Sequence, residues 1–212
     1  MADSDKDILI TPQSDASSDP TVVYKSGATS GDPITLSVTD DGAVSTLDFS
    51  GSAGQLFSIS NDLSGTIFSA ADGSGIGIIE ADADGTVRLA PFGGIVQSGA
   101  PIRENLQVSS GTTATIDLDA GSVFWHTAGA GTTTLTFSNG PASNESQSCM
   151  IIHQQDGTGS RVLSWPAATY WAENVEPPES TGANDIDVYS VQVINNNGTT
   201  YYIASLGVRN AS

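Results

Sequence analysis

The stretch from Leu47 to Phe68, LDFSGSAGQLFSISNDLSGTIF, sets the tightest limit on what this chain can fold into. Its apolar residues come in ones and twos between Ser-Gly breaks: Leu47 and Phe49, Leu56 and Phe57, Ile59, then Ile67 and Phe68. The segments are roughly five residues long, and glycine interrupts them too often for a helix. They read as short strands. Such a strand carries too little apolar surface to make a core from one copy, and is stabilised when neighbouring copies bury the same face. Leu47, Phe49, Leu56, Phe57, Ile59, Ile67 and Phe68 are therefore the expected oligomer interface.

The same pattern continues along the chain. Ile34, Leu36 and Val38 alternate with polar residues, as do Val87 with Leu89 and Ile116 with Leu118, which is the period of a strand with one buried face. Turn signals fall between them at Asp41-Gly42, Asp72-Gly73, Asp84-Gly85, Asn139-Gly140, Asp156-Gly157 and Asn197-Gly198; both members of an Asx-Gly pair tolerate positive φ. No stretch has the period of an amphipathic helix. Gly and Pro cluster without periodicity over 92–101, FGGIVQSGAP, and mark a boundary.

The expected fold is all-β, in three parts. Residues 1–20 form an extended N-terminal docking arm, in which Asp3, Asp5, Asp7, Asp15 and Asp19 surround the apolar island Ile8, Leu9 and Ile10. Alone, that arm buries too little to offset its ordering entropy, and the island is expected to add as an edge strand to another protein. Residues 21–100 form a small intertwined β stalk, the Gly/Ser-rich oligomerisation module. Residues 101–212 form a C-terminal antiparallel β-sandwich of about eight strands, whose aromatics include Phe124, Trp125, Phe137, Trp165 and Trp171.

Charge excludes several functions. Six Lys and Arg stand against 24 Asp and Glu, a formal net charge of -18. Such a field repels nucleic acid and anionic membrane surfaces and leaves no basic patch to release counterions. The apolar runs are too short to span a bilayer as a helix, and the opening MADSDKDILITP lacks an apolar leader core. The chain is thus read as neither membrane-bound nor a processed secretory product. Cys149 is the single cysteine, so an internal disulfide is ruled out; in its apolar run it reads as a core residue.

Candidate chemistry is sparse. Glu80, Asp82 and Asp84 ahead of Gly85 resemble the start of a calcium loop, but with Glu80 as first ligand the twelfth position is Pro91, which supplies no carboxylate. Acidic residues leading into an Asp-Gly hairpin explain the same letters. His126 and His153 are the only histidines, so a multi-histidine zinc site within one chain is impossible; three copies on a threefold axis is the weaker alternative to structural strand histidines. No G-x-S-x-G elbow places a nucleophile with a base. Asn144-Glu145-Ser146, Asn197-Gly198-Thr199 and Asn210-Ala211-Ser212 match the glycosylation pattern, as chance allows in an Asn/Ser/Thr-rich chain. Trp165, Tyr170 and Trp171 suit either core packing or stacking on a sugar ring. No catalytic, cofactor or metal residue is assigned.

Two segments resemble virion structural proteins of tailed phages, especially the fibre and appendage proteins of marine cyanophages. From about Ile34 to Gly99, LDFSGSAGQLFSIS, LSGTIFSAADGSGIGIIE and ADGTVRLAPFGG are similar to a module repeated in those fibres. From about Arg103 to Val208, TIDLDAGSVFWHT, TLTFSN, QQDGTGSRVLSWP and DVYSVQV followed by TTYYIASLG are similar to a C-terminal β module of the same proteins. The resemblance implies a non-enzymatic, trimeric, β-structured virion part, made in the cytoplasm of the infected bacterial host. One copy of each module points to a short fibre or appendage, or to a capsid decoration protein that stabilises the shell. The implied partners are two further copies of the chain and, through the arm, a capsid, portal or tail protein. In the acidic loop from Ala172 to Asp185 and beside it, Trp171, Glu173 and Glu176 form the expected outward contact surface, with a host-surface glycan as a further candidate partner.

Overall fold

The computed structural model describes residues 10–11, 21–25, 27, 32–40 and 42–211. The protein is all-β: among the described residues, every regular element apart from one 3₁₀ turn at Ala172–Asn174 is a strand. The chain divides into two compact units, Met1–Gly99 and Ala100–Ser212.

Unit 1 is one antiparallel meander of eight strands, each hydrogen-bonded to the next: β1 (Ile10–Thr11), β2 (Thr21–Tyr24), β3 (Ile34–Asp40), β4 (Ser45–Gly51), β5 (Gly54–Ser60), β6 (Thr66–Ala71), β7 (Gly77–Asp82) and β8 (Val87–Leu89). Short polar turns force this order. At the β6–β7 turn, Asp72 Oδ1 accepts the Ser74 N–H at 2.8 Å and the Ser74 hydroxyl at 2.6 Å, and the left-handed conformation falls on Gly75 (φ 83°) rather than Gly73. The β7–β8 turn repeats the device, with Asp84 Oδ1 accepting the Thr86 N–H at 2.8 Å and Gly85 at φ 92°. These hydrogen bonds, led by that from the Ser74 hydroxyl, hold the Asp72 carboxyl below the usual carboxylate range.

Unit 2 is two facing sheets: a six-stranded sheet in the order β15-β17-β16-β13-β11-β9, and a three-stranded sheet in the order β10-β12-β14. Its strands are β9 (Leu106–Gly111), β10 (Thr113–Asp117), β11 (Val123–Ala128), β12 (Thr132–Ser138), β13 (Glu145–Gln154), β14 (Val162–Ser164), β15 (Thr169–Tyr170), β16 (Ile186–Asn196) and β17 (Thr199–Ala211). The sandwich is mixed, which corrects the expectation of a wholly antiparallel one. β9, β11 and β13 run parallel in one sheet, and β10, β12 and β14 run parallel in the other. The cause is local. One residue, Thr112, separates β9 from β10, fewer than a hairpin needs, so the chain turns a corner at Gly111 (φ 117°) into the facing sheet. Each later turn of the chain lays its strands beside the previous ones, and the corners stack: the Gly129 N–H donates to Gly111 O at 2.8 Å. Antiparallel pairing takes over in β13–β16 and β16–β17, the latter closed by Asn197 and Gly198, both at positive φ.

The core lies between these sheets. Ala114, Ile116, Leu135 and Leu163 from the small sheet meet Phe124, Cys149, Ile151, Tyr189, Val191, Val193 and Ala204 from the large one, with Leu118 beside them. At about 1.5–3 kcal/mol for each large apolar side chain fully buried, this unit holds its fold with its own residues.

Candidate functional site: an uncovered apolar sheet face in unit 1

Pleating sends alternate residues to opposite faces, and the register of unit 1 sorts them by polarity. One cross-strand row runs Val38, Leu47, Ile59, Phe68 and Ala81; the next runs Val22, Leu36, Phe49, Phe57, Ala70 and Ile79, ending on Leu89. The opposite face carries the row Ser37, Asp48, Ser58, Ser69, Glu80 and Arg88. Here Asp48 accepts the Ser37 hydroxyl at 2.7 Å and the Ser50 hydroxyl at 3.0 Å. One face is apolar and the other polar.

No second layer covers the apolar face within unit 1. Among the described residues of the unit only Ser58, on the polar face, is buried; the apolar rows are half-buried or exposed, Ile59 to 47 %. What shielding exists is lateral. Phe57 packs edge-on against Phe49, with ring centroids 5.7 Å apart, and against Phe68 at 5.3 Å, the geometry aromatic quadrupoles prefer. Strands about 4.8 Å apart make this a broad, continuous apolar surface, of the kind that marks an interaction site in a soluble protein.

Five of the sequence-selected interface residues, Leu47, Phe49, Phe57, Ile59 and Phe68, share that face. Leu56 and Ile67 do not join the rows. Each is the extra residue of a register shift: Phe49 faces Phe57 while Ser50 faces Gln55, and Phe68 faces Ala81 while Thr66 faces Asp82. Leu36, Val38, Ala70 and Ile79 belong to the site although not selected; the alternation in ITLSVTD was the available signal for the first two.

The other selected positions are scattered. Of the arm, Ile8 and Leu9 lie outside the described residues, and Ile10 pairs with Val22 of the chain's own sheet. Glu173 and Glu176 are exposed. Trp171 instead packs onto the core of unit 2, edge-on to Trp165 at 5.0 Å and to Tyr189 at 6.1 Å. Its loop is pinned beyond it. Glu179 accepts the Leu163 N–H at 2.8 Å, and buried Asp187 accepts the Ser180 N–H at 2.7 Å and its hydroxyl at 2.5 Å. Burial, with Glu176 and Asp187 nearby, raises Glu179 to about 7 against the opposing Leu163 hydrogen bond.

The candidate metal residues are occupied otherwise. Asp82 pairs with Arg88 and accepts the Thr66 hydroxyl at 2.9 Å, while Asp84 caps its own turn. His126 and His153 face each other across β11 and β13 inside the core, each 1 % exposed, with rings stacked 6.5 Å apart. His126 donates from Nε2 to Gly111 O at 3.0 Å, which leaves Nδ1 to accept the Ser109 hydroxyl at 2.8 Å. Neither His153 ring nitrogen has a partner, and burial, helped by His126 and opposed by Asp187, pushes this imidazole down to about 4. Cys149 is buried, and its thiol is pushed up to about 12. Among the described residues no group of three or more His, Cys, Asp or Glu side chains is placed to hold a metal, and no helix is long and apolar enough to cross a membrane.

Compared with known proteins, the chain matches no family model, no curated protein and no solved structure.

Proposed function

We propose that this chain is a non-enzymatic structural protein of a phage particle, a short appendage assembled as a homotrimer through the apolar face of unit 1. The observation that carries the reading is the uncovered sheet: one face is apolar from β2 to β8, and the single buried side chain among the described residues of unit 1, Ser58, lies on the other face. Contact with water costs such a face about 25 cal/mol for each Å², and identical faces brought together by rotational symmetry remove that cost without any other protein. The sequence resemblance to fibre and appendage proteins supplies the setting, a virion.

The N-terminal arm attaches the trimer to the particle. β1 is the terminal strand of its sheet, and its outer edge has no partner among the described residues. An edge strand of this kind accepts a further strand through backbone hydrogen bonds. Deleting residues 1–12 is expected to leave the trimer mass unchanged in sedimentation and to abolish incorporation into particles. A deleted chain incorporated at normal copy number overturns the role of the arm, and a folded single subunit overturns the whole reading. Copy number then assigns the place: hundreds per particle mean capsid decoration, a few dozen or fewer an appendage.

A further inference from the structure

The six-stranded sheet of unit 2 breaks the rule for a sheet with one face in water. Its inner positions, such as Phe124, Ile151 and Val191, are buried as expected. Its outward positions are also largely apolar: Trp125 on β11, Met150 and Ile152 on β13, Val188 and Ile194 on β16, and Ile203 on β17. The outward positions between them are serine, threonine, glutamine and tyrosine, and none of those on β9, β11, β13, β15, β16 or β17 that pair across this face carries a charge. A sheet with water on one face alternates apolar with polar residues; apolar residues on both faces belong to a sheet covered on both sides. Within unit 2 only the inner face is covered.

From this we infer that the outer face of the six-stranded sheet is a second contact between copies of the chain, resting on the trimeric reading above. Charge decides the occupant. Each chain carries a formal charge of -18, so a contact with an identical chain brings acidic surfaces together, and a carboxylate buried in it would sit in the field of the other acidic chains. A face whose paired rows carry no charge is the one on which that contact costs least. An unlike partner drawn to so acidic a protein would be basic and would bind where the carboxylates are. The face also has relief for a partner to fill: a groove of about 1010 Å³ runs over Tyr170, Tyr201, Ile194 and Ile203, with Glu145, the first residue of β13 and off the outward rows, the one carboxylate in its lining.

Met150 reports on the cover. It is 42 % exposed in the single chain, on the outward side of β13, and the sequence has only one other methionine, Met1. The full chain is treated with hydrogen peroxide at a concentration where its mass has been measured, and sulfoxide formation is followed by peptide mapping against free methionine in the same tube. In the trimer Met150 is expected to react at least about tenfold more slowly than free methionine. Ser190→Glu, a charge placed at an exposed position paired with Met150, is expected to restore its reactivity. A trimer in which Met150 reacts as fast as free methionine overturns this inference and leaves unit 1 as the sole contact. Protection that persists in Ser190→Glu also overturns it. A monomer overturns both this contact and the proposed assembly.

Discussion

Replacing Phe57 by alanine removes the centre of the apolar face of unit 1, and the structure sets the size of the effect. Phe57 lies between Phe49 and Phe68 and is half-buried by these neighbours alone. Truncating a fully buried phenylalanine costs about 3–5 kcal/mol. With about two thirds or more of the side chain already shielded in the single chain, about 1 kcal/mol falls on assembly. Three copies lose about 3 kcal/mol, which at 1.4 kcal/mol per factor of ten lowers the trimerisation constant roughly 10²-fold. Because that constant scales with the square of concentration, the assembly midpoint rises about tenfold. Sedimentation velocity over a dilution series reads the midpoint directly. Ser69→Ala, on the polar face one pair away from Phe57, is the control and leaves the midpoint in place. An unchanged midpoint in Phe57→Ala, or equal shifts in the two variants, would refute the assignment of this face to assembly.

One buried and one half-buried group, His153 and Glu179, give unit 2 opposed pH dependences, and the three tryptophans, all within it, report its unfolding. His153 sits at about 4 when folded against about 6.5 unfolded, so the unfolded chain binds the extra proton between these values. The associated stability is complete above pH 6.5 and falls by about 3 kcal/mol as pH drops to 4; His153→Leu is expected to remove this loss, read by urea unfolding as variant minus wild type, and an unchanged acid slope counts against it. Glu179 works the other way. Its folded value of about 7 lies above an unfolded value of about 4.3, so its contribution is complete below pH 4.3 and is lost as pH rises to 7. Glu179→Gln keeps an acceptor for the Leu163 N–H and is expected to gain up to about 3 kcal/mol on wild type at pH 8 relative to pH 4; a difference that does not vary with pH would show the carboxyl to be as well solvated folded as unfolded.

The strands of this protein were legible in its letters because alternation with period 2 is a local property of the backbone. ITLSVTD and LDFSG announce both their conformation and which residues share a side, and so Leu47, Phe49, Phe57, Ile59 and Phe68 were readable as residues of one sheet face. Leu56 and Ile67 were not excludable in the same way. A bulge inserts one residue into one strand only, and whether Leu56 opposes anything depends on Gln55 meeting Ser50 across the pair. Strand direction was equally hidden, because a strand has the same alternation whether its neighbour runs parallel or antiparallel. The single residue between Gly111 and Thr113 sends the chain into the facing sheet, and the parallel stacks of β9, β11, β13 and of β10, β12, β14 follow from that corner.

By itself, then, the sequence determined that the chain is all-β, strongly acidic, and short of core material in its first half, since these follow from composition and from local periodicity. Only the tertiary structure decided which surfaces that shortage leaves bare. It turned Trp171 onto the core, placed His126 and His153 side by side between the sheets, and set Met150, Ile194 and Ile203 on one uncharged outer face. Each of these depends on which strand lies beside which, and that is settled by contacts between residues far apart in the chain.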